Sequence, residues 1–414
     1  RFNSSFLLQK QWRHHPKGLE FKKSPPLFLP LMRLLSLLLL VGVLSLSPVS
    51  QANQPSGPLR VAHVDLDYIY DADPSQIDRN LALLTQRITD LGVTTVFLQA
   101  YADPLGDGLV KSVYFPNRHL PLRADLFNHV ARQLRNNAKV SIYAWMPLLS
   151  FDLNPDFDRV ARWTPDTSQP LAQPDPAQYR RLSPFDARAR QQILEIYEDL
   201  AGHAQFDGIL FHDDAVLGDF EDASSAALKA YQQAGLPPSI ETLHSDPALM
   251  QRWTRFKTET LNQFTVELAN RVSAVRGSHI KTARNIFAMP ILAPESEAWF
   301  AQNLDDFLAL YDYTAPMAMP YMEGISPEKA EEWLTKLVQE VAKRPGALER
   351  TIFELQARDW SKPGTPFING EIMASWMKTL QQAGAHHFGY YPDDFIAGHP
   401  PLPEMRRALS TSRH

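Results

Sequence analysis

From residue 59 onward, short apolar runs rich in β-branched and aromatic residues alternate with stretches whose apolar residues recur at helical spacing. Leu59-Arg-Val-Ala-His-Val64 reads as a strand, and Asp73-Pro74 then supplies an N-cap followed by proline at the first helical position. Ile77, Leu81, Leu84, Ile88 and Leu91 follow on one helical face. The same unit recurs with strands at 95–98, 140–145, 208–211, 279–283, 313–319, 351–356 and 387–391. The helices between them fall near 124–137, 186–204, a long region to about 276, 295–309, 327–343, 370–384 and 402–410. Eight strands, each followed by a helix, predict a single-domain α/β fold, a (β/α)₈ TIM-type barrel with enlarged βα loops over 59–410. A doubly wound open sheet satisfies the same count. However, no GxGxxG or GxxxxGK[ST] follows a strand, so the usual nucleotide site of such a sheet is missing.

The segment before the first strand follows a different pattern. Met32-Arg33 precedes the thirteen-residue run Leu34 to Leu46, apolar apart from Gly42, Ser36 and Ser45, and Ser50-Gln51-Ala52 follows. This predicts a secretory signal peptide over 32–52, cleaved after Ala52, with 1–31 an upstream stretch outside the mature protein and 53–58 a short linker. Pro25, Pro26, Pro30 and Pro48 and the shortness of the run argue against a spanning helix. The expectation is a periplasmic or secreted protein with no stable membrane insertion after cleavage. The chain has no Cys, which excludes disulfides, thiolate metal sites, a Cys nucleophile and a lipid anchor on an N-terminal Cys.

Charge sharpens the picture once that segment is set aside. The chain holds 41 Lys and Arg against 46 Asp and Glu, a formal −5. Residues 1–52 carry seven of the basic side chains and one of the acidic, so the body has 34 against 45, or −11. A body this acidic argues against nucleic acid and anionic membranes and for a neutral or cationic ligand.

In a barrel the C-terminal strand ends line one mouth. Here they carry His63, Asp65 and Asp67; Gln99 and Tyr101; Trp145; His212, Asp213 and Asp214; Asn285; Tyr321 and Glu323; Glu354 and Trp360; and Tyr391 and Asp393. Carboxylates and aromatics with few cations suit carbohydrate, whose rings stack on Trp and Tyr while carboxylates and amides take hydroxyls. Glycoside hydrolysis also needs carboxyl groups in two protonation states. Phe206-Asp-Gly-Ile-Leu-Phe-His-Asp-Asp214 is the sharpest candidate, an apolar strand running into His212, Asp213 and Asp214, although an N-cap cluster has the same pattern. Asp219 on the same loop is either a third site carboxylate or an ordinary loop residue. Asp103-Pro-Leu-Gly-Asp-Gly108 reads as a glycine-rich turn, since it misses the calcium-loop spacing. No HExxH or HxxxH occurs after residue 52 and no GxSxG occurs, so the expectation is chemistry with no metal, no cofactor and no serine nucleophile.

Seven runs in order resemble one family: His63 to Tyr68, Gly106 to Lys111, Tyr143 to Pro147, Phe206 to Asp214, Lys281 to Phe287, Met317 to Tyr321 and Gly389 to Asp393. The family is the C-terminal glycoside hydrolase domain of PgaB, and the resemblance covers residues 59–400. It implies a metal-independent (β/α)₈ barrel that binds partly de-N-acetylated poly-β-1,6-N-acetyl-D-glucosamine, a biofilm exopolysaccharide, and cleaves it internally. Carried over by motif, Asp214 is the expected acid and Asp213 its supporting carboxylate, while Asp65, Asp67, Asp219 and Tyr321 match groove-lining positions. His63, Tyr101, Trp145, His212, Asn285, Glu354, Tyr391 and Asp393 complete the expected substrate-binding set. The family's metal-dependent deacetylase domain and lipid anchor do not carry over, and exopolysaccharide export machinery is a possible partner. A non-catalytic polysaccharide-binding barrel and a glycosidase for another amino-sugar polymer are the alternatives.

Overall fold

The computed structural model describes residues 57–164, 174–175 and 178–410. The predicted signal peptide, its upstream stretch and most of the proposed linker lie outside these residues. Eight parallel strands form the core: β1 Arg60–Val64, β2 Thr95–Gln99, β3 Ser141–Met146, β4 Gly208–Phe211, β5 Lys281–Ile286, β6 Tyr313–Pro316, β7 Ile352–Gln356 and β8 His387–Tyr391. β1 pairs with both β2 and β8, and the neighbours run on in chain order to β6 on one side and β7 on the other. Parallel bridges Thr314 to Thr351 and Met317 to Glu354 join β6 to β7. The sheet therefore closes on itself, which decides for the barrel over the open sheet.

Every residue of β1, β2, β4 and β7 is buried, because one face of each strand fills the barrel and the other meets a helix. Two glycines are required by close approach. A Cβ on Gly389 of β8 would lie 2.4 Å from the Val61 carbonyl, and one on Gly208 of β4 would lie 2.4 Å from the Tyr143 ring.

The outer layer is α1 Pro74–Leu91, α2 Phe127–Asn137, α3 Ala187–His203, α4 Pro247–Arg276, α5 Leu304–Leu310, α6 Ala330–Ala342, α7 Gly370–Gln382 and α8 Leu402–Ser410. Helix α1 begins where its sequence signals place it: Asp73 accepts the Ser75 N–H at 2.9 Å, Pro74 is the first helical residue, and Gly92 closes the end with φ 69°. Its Leu81, Leu84, Ile88 and Leu91 are buried in the core. Helix α4 is about 45 Å long at 1.5 Å per residue. Its second half packs in the main core through Leu261, Phe264, Leu268 and Val272. Its first half, through Trp253, belongs to a separate cluster with Tyr231, Ile240 and Leu243 under the β4–α4 connection.

Two expectations change. The helix predicted near 295–309 is broken by Ala301 at φ 51° and restarts as α5 from the Asn303 cap. The fifth strand runs later, to Ile286, so Arg284 and Asn285 lie inside it and alternate. Arg284 points to the helix layer, where its Nη1 meets Asn262 and Tyr311 at 2.7 Å, while Asn285 points to the barrel mouth.

Candidate active site

One cleft of about 270 Å³ opens at the C-terminal strand ends. Strand register sets its walls: Gln99 on β2 is level with Trp145 on β3, and Gln356 on β7 is level with Tyr391 on β8. His63, Asp65, Asp67, Tyr101, Trp145, His212, Asp213, Asn285, Glu354 and Tyr391 all line it. Tyr391 stacks on Trp360 at 5.8 Å, and edge contacts link Trp145 to Tyr101, Tyr391 and His63. Burial pushes the hydroxyls of Tyr101 and Tyr391 well above the usual tyrosine range, which keeps them neutral donors.

The cleft carboxylates are not equivalent. Asp67 is fully engaged, with Tyr114 Oη donating to Oδ1 at 2.6 Å and the Asp103 N–H to Oδ2 at 2.9 Å. Asp103 in turn accepts the Asp107 and Gly108 N–H groups at 3.0 and 3.1 Å, which closes the glycine-rich turn. Asp65 accepts from Tyr391 Oη at 3.4 Å. Glu354 forms the floor: Oε2 accepts from Asn285 Nδ2 at 2.7 Å, and Oε1 lies 3.2 Å from His63 Nε2 without hydrogen-bond alignment.

The Asp213 and Asp214 pair, expected to act together, is split by the turn that follows β4. Asp214 is fully buried and does not line the cleft. Its Oδ1 accepts the Leu148 N–H at 2.9 Å, and its Oδ2 accepts those of Leu149 and Ser150 at 2.7 and 2.8 Å. Burial raises its pKa, but His212 and these amides outweigh that and hold it below the usual aspartate range. A carboxyl held ionised behind a backbone loop cannot give a proton to a ligand. Asp213 is its opposite: it lines the cleft, its Oδ1 accepts from Tyr179 Oη at 2.9 Å, and its Oδ2 makes no hydrogen bond to the described residues. Burial pushes its pKa above the usual range, against the opposing effects of His212 and Tyr179.

His212 sets the polarity of this group. Its Nδ1 accepts the Asp214 N–H at 3.3 Å, so in the neutral ring the proton is on Nε2, 3.0 Å from Asp213 Oδ1. With Oδ1 already accepting, the proton of a neutral Asp213 belongs on Oδ2, the oxygen free in the cleft. Burial lowers the His212 pKa, but the two flanking carboxylates more than reverse that.

Several buried cleft atoms lack a hydrogen bond to the described residues: Gln99 Oε1, Trp145 Nε1, Asp213 Oδ2, Glu354 Oε1 and both His63 nitrogens. Each orphan costs about 1–3 kcal/mol unless water or a ligand answers it, so the cleft is made for a polar guest. Among the described residues no group of three His, Asp or Glu side chains is arranged to hold a metal ion.

The model of the hypothetical glycosyl hydrolase family 13 matches residues 63–391. The chain belongs to this family. Solved structures of this fold include a relative of the same kind. The chain is 48% identical to the PgaB glycoside hydrolase domain from Bordetella bronchiseptica, covering 86% of this chain and all of that one, with a TM-score of 0.79. It is also 53% identical to the poly-β-1,6-N-acetyl-D-glucosamine N-deacetylase of Escherichia coli K12 over 87% of its own length and 53% of that protein's. The chain thus spans about half the length of the curated relatives it matches. An α-L-fucosidase from Paenibacillus thiaminolyticus shares the fold alone, at 12% identity, with a TM-score of 0.55 over 85% of this chain and 48% of that one.

Within this hypothetical glycosyl hydrolase barrel, three residues expected at the groove lie elsewhere. Asp393 is fully buried and bound by Arg87 Nε of α1 at 2.7 and 2.9 Å and by Tyr390 Oη at 2.7 Å, so it pins α1 to the end of β8. Asp219 is buried 3.7 Å from His244, off the cleft. Tyr321 turns its ring onto Trp376 of α7 at 5.0 Å. The converse omission is Tyr179, which reaches Asp213 from the proline-rich β3–α3 loop. No local pattern marks it, because its partner is 34 residues away.

Proposed function

We propose that this chain is an endo-acting glycoside hydrolase that cleaves partly de-N-acetylated poly-β-1,6-N-acetyl-D-glucosamine without a metal, and that Asp213 is its acid. The observation that carries the reading is Asp213 Oδ2, which makes no hydrogen bond to the described residues, on a buried carboxyl whose pKa burial pushes above the usual range, facing a cleft of aromatics and further carboxylates. The substrate class comes from the likeness to the PgaB glycoside hydrolase domain and to the deacetylase named for this polymer. A de-N-acetylated unit carries an ammonium group, which suits a cleft lined by Asp65, Asp67, Asp103 and Glu354.

In the reaction, sugar rings stack on the Trp145, Trp360 and Tyr391 side of the cleft. Asp213 Oδ2 gives its proton to the glycosidic oxygen as the bond to C1 breaks. The positive charge developing on the sugar is met by the carboxylates of the same cleft, and water adds to C1 and gives up its proton to one of them. Tyr179 Oη and His212 Nε2–H then stabilise the Asp213 carboxylate left behind. The signal-peptide reading of 32–52 puts this activity in the periplasm or outside the cell, where export machinery for the polymer is a candidate partner.

Incubation of the protein with polymer of defined acetylation, followed by mass spectrometry, should show internal cleavage to oligosaccharides and little product from fully acetylated chains. Binding with no shortened product would sink the hydrolase reading and leave a polysaccharide-guiding barrel. Cleavage of chitosan in preference to the β-1,6 polymer would move the substrate to another amino-sugar chain.

A further inference from the structure

The two loops that form the acid are locked together by buried charges that the proton transfer does not use. Arg181, two residues beyond Tyr179, donates Nη2 to Glu221 Oε1 at 2.9 Å and Nη1 to the Val216 carbonyl. The other carboxylate oxygen of Glu221 accepts the Gly218 N–H at 3.0 Å. From α4, Lys257 donates Nζ to the Gly218 and Glu221 carbonyls, with its ammonium 3.7 Å from the centre of the Trp253 ring. Arg181, Glu221 and Lys257 are all buried.

A buried ion pair adds little net stability, because desolvation offsets most of its attraction. Its effect is to admit one geometry. Here the geometry closes a ring: Tyr179 leads to Arg181, Arg181 grips Glu221 and Val216, and Val216 is three residues from Asp213, whose Oδ1 returns to Tyr179 Oη. Other ties hold the same loops further out. Trp163 N–H donates to the Phe220 carbonyl at 3.0 Å, Ala223 N–H to the Ala161 carbonyl at 2.8 Å, and Ser183 Oγ to Asp222 at 2.6 Å. Loosening Arg181 should therefore displace Tyr179 without unfolding the loop.

We propose that the buried Arg181–Glu221 pair is a positioning device for the acid, holding the β3–α3 loop against the β4–α4 loop so that Tyr179 Oη meets Asp213 Oδ1. The proposal rests on Asp213 being the acid. Around Asp213 the titratable neighbours are His212 and Asp214 of its own turn and Tyr179 of the facing loop; around Glu221 they include Arg181, Lys257, Asp219, Asp222 and Tyr231.

The test is the pH dependence of cleavage of partly de-N-acetylated polymer by Arg181→Lys, Glu221→Gln and Tyr179→Phe variants of the full chain. Glu221→Gln leaves a guanidinium buried without its carboxylate and is expected to unfold readily. Arg181→Lys keeps the charge and loses the two-pronged grip, so it carries the test. Its kcat should fall roughly tenfold with little change in KM. Its alkaline limb should move to higher pH, because losing the Tyr179 hydrogen bond removes a donor that favours the ionised acid. Tyr179→Phe should give the same shift, and the double variant no further one. A limb unmoved in Arg181→Lys, or additive shifts in the double variant, would overturn the proposal. Full activity in Asp213→Asn would instead overturn the acid assignment beneath it.

Discussion

Replacing Asp213 and Asp214 one at a time by Asn should separate chemistry from architecture. In Asp213→Asn the amide oxygen still accepts from Tyr179 and stays 3.0 Å from His212 Nε2, and the new NH₂ takes the place of Oδ2 in the cleft. Unfolding should shift by less than about 1 kcal/mol, while loss of the proton donor should lower kcat by roughly 10²–10⁴. In Asp214→Asn a carboxylate that takes three backbone N–H groups becomes an amide with one acceptor, so an NH₂ faces at least one of those donors in a sealed site. An orphaned buried donor costs about 1–3 kcal/mol, and the loss of charge from the remaining bonds adds a similar amount. A total of about 4 kcal/mol corresponds to roughly 5 °C for a domain of this size. Thermal unfolding and oligosaccharide release, measured on the same samples and corrected for folded fraction, report both effects. If Asp214→Asn unfolds like wild type and is inactive while Asp213→Asn cleaves normally, the assignment made from the buried and the free oxygens is wrong.

Other consequences are open to measurement. Arg87→Leu strands the Asp393 carboxylate against Tyr390 and should cost about 3–5 kcal/mol in chemical denaturation, with kcat of the folded fraction nearly unchanged. Because Asp213 works protonated and burial lifts its pKa, activity should persist as pH rises past the range of an exposed aspartate and then fall as Asp213 ionises; a fall complete at the ordinary aspartate range would contradict this. Trp145→Phe keeps an aromatic ring but removes an indole N–H that has no hydrogen-bond partner among the described residues, so KM should rise by about fivefold or more. Raising salt from 0.1 to 1 M shortens the screening length from about 10 to 3 Å, and should weaken binding of de-N-acetylated polymer but not of the acetylated form.

The alternation of apolar runs carries the barrel because each βα unit must bury a strand on both faces and a helix on one, and those needs are written locally. Asp73-Pro74 marks the start of α1 for the same reason: a cap acts over three or four residues. The rule that strand ends face one mouth also placed His63, Trp145, His212, Asn285, Glu354 and Tyr391 along the cleft. A few residues further on, it no longer decides. Past a strand's last residue the backbone turns, and a single step decides whether a carboxylate enters the cleft, as in Asp213, or passes behind it to backbone amides, as in Asp214. Arg284 and Asn285 differ in the same way, by the alternation of β5.

By itself the sequence determined the eight strand-and-helix units, the cap that opens the first helix, the acidic balance of the body and the family, since each depends on neighbours in the chain or on composition. Closure through Thr314 and Thr351, the capture of Asp393 by Arg87 306 residues away, and the meeting of Tyr179 with Asp213 were decided only in the tertiary structure. Which carboxyl can keep and give a proton depends on what surrounds it in space, on burial and on donors brought from distant loops. The order of two adjacent aspartates in the chain does not contain that information.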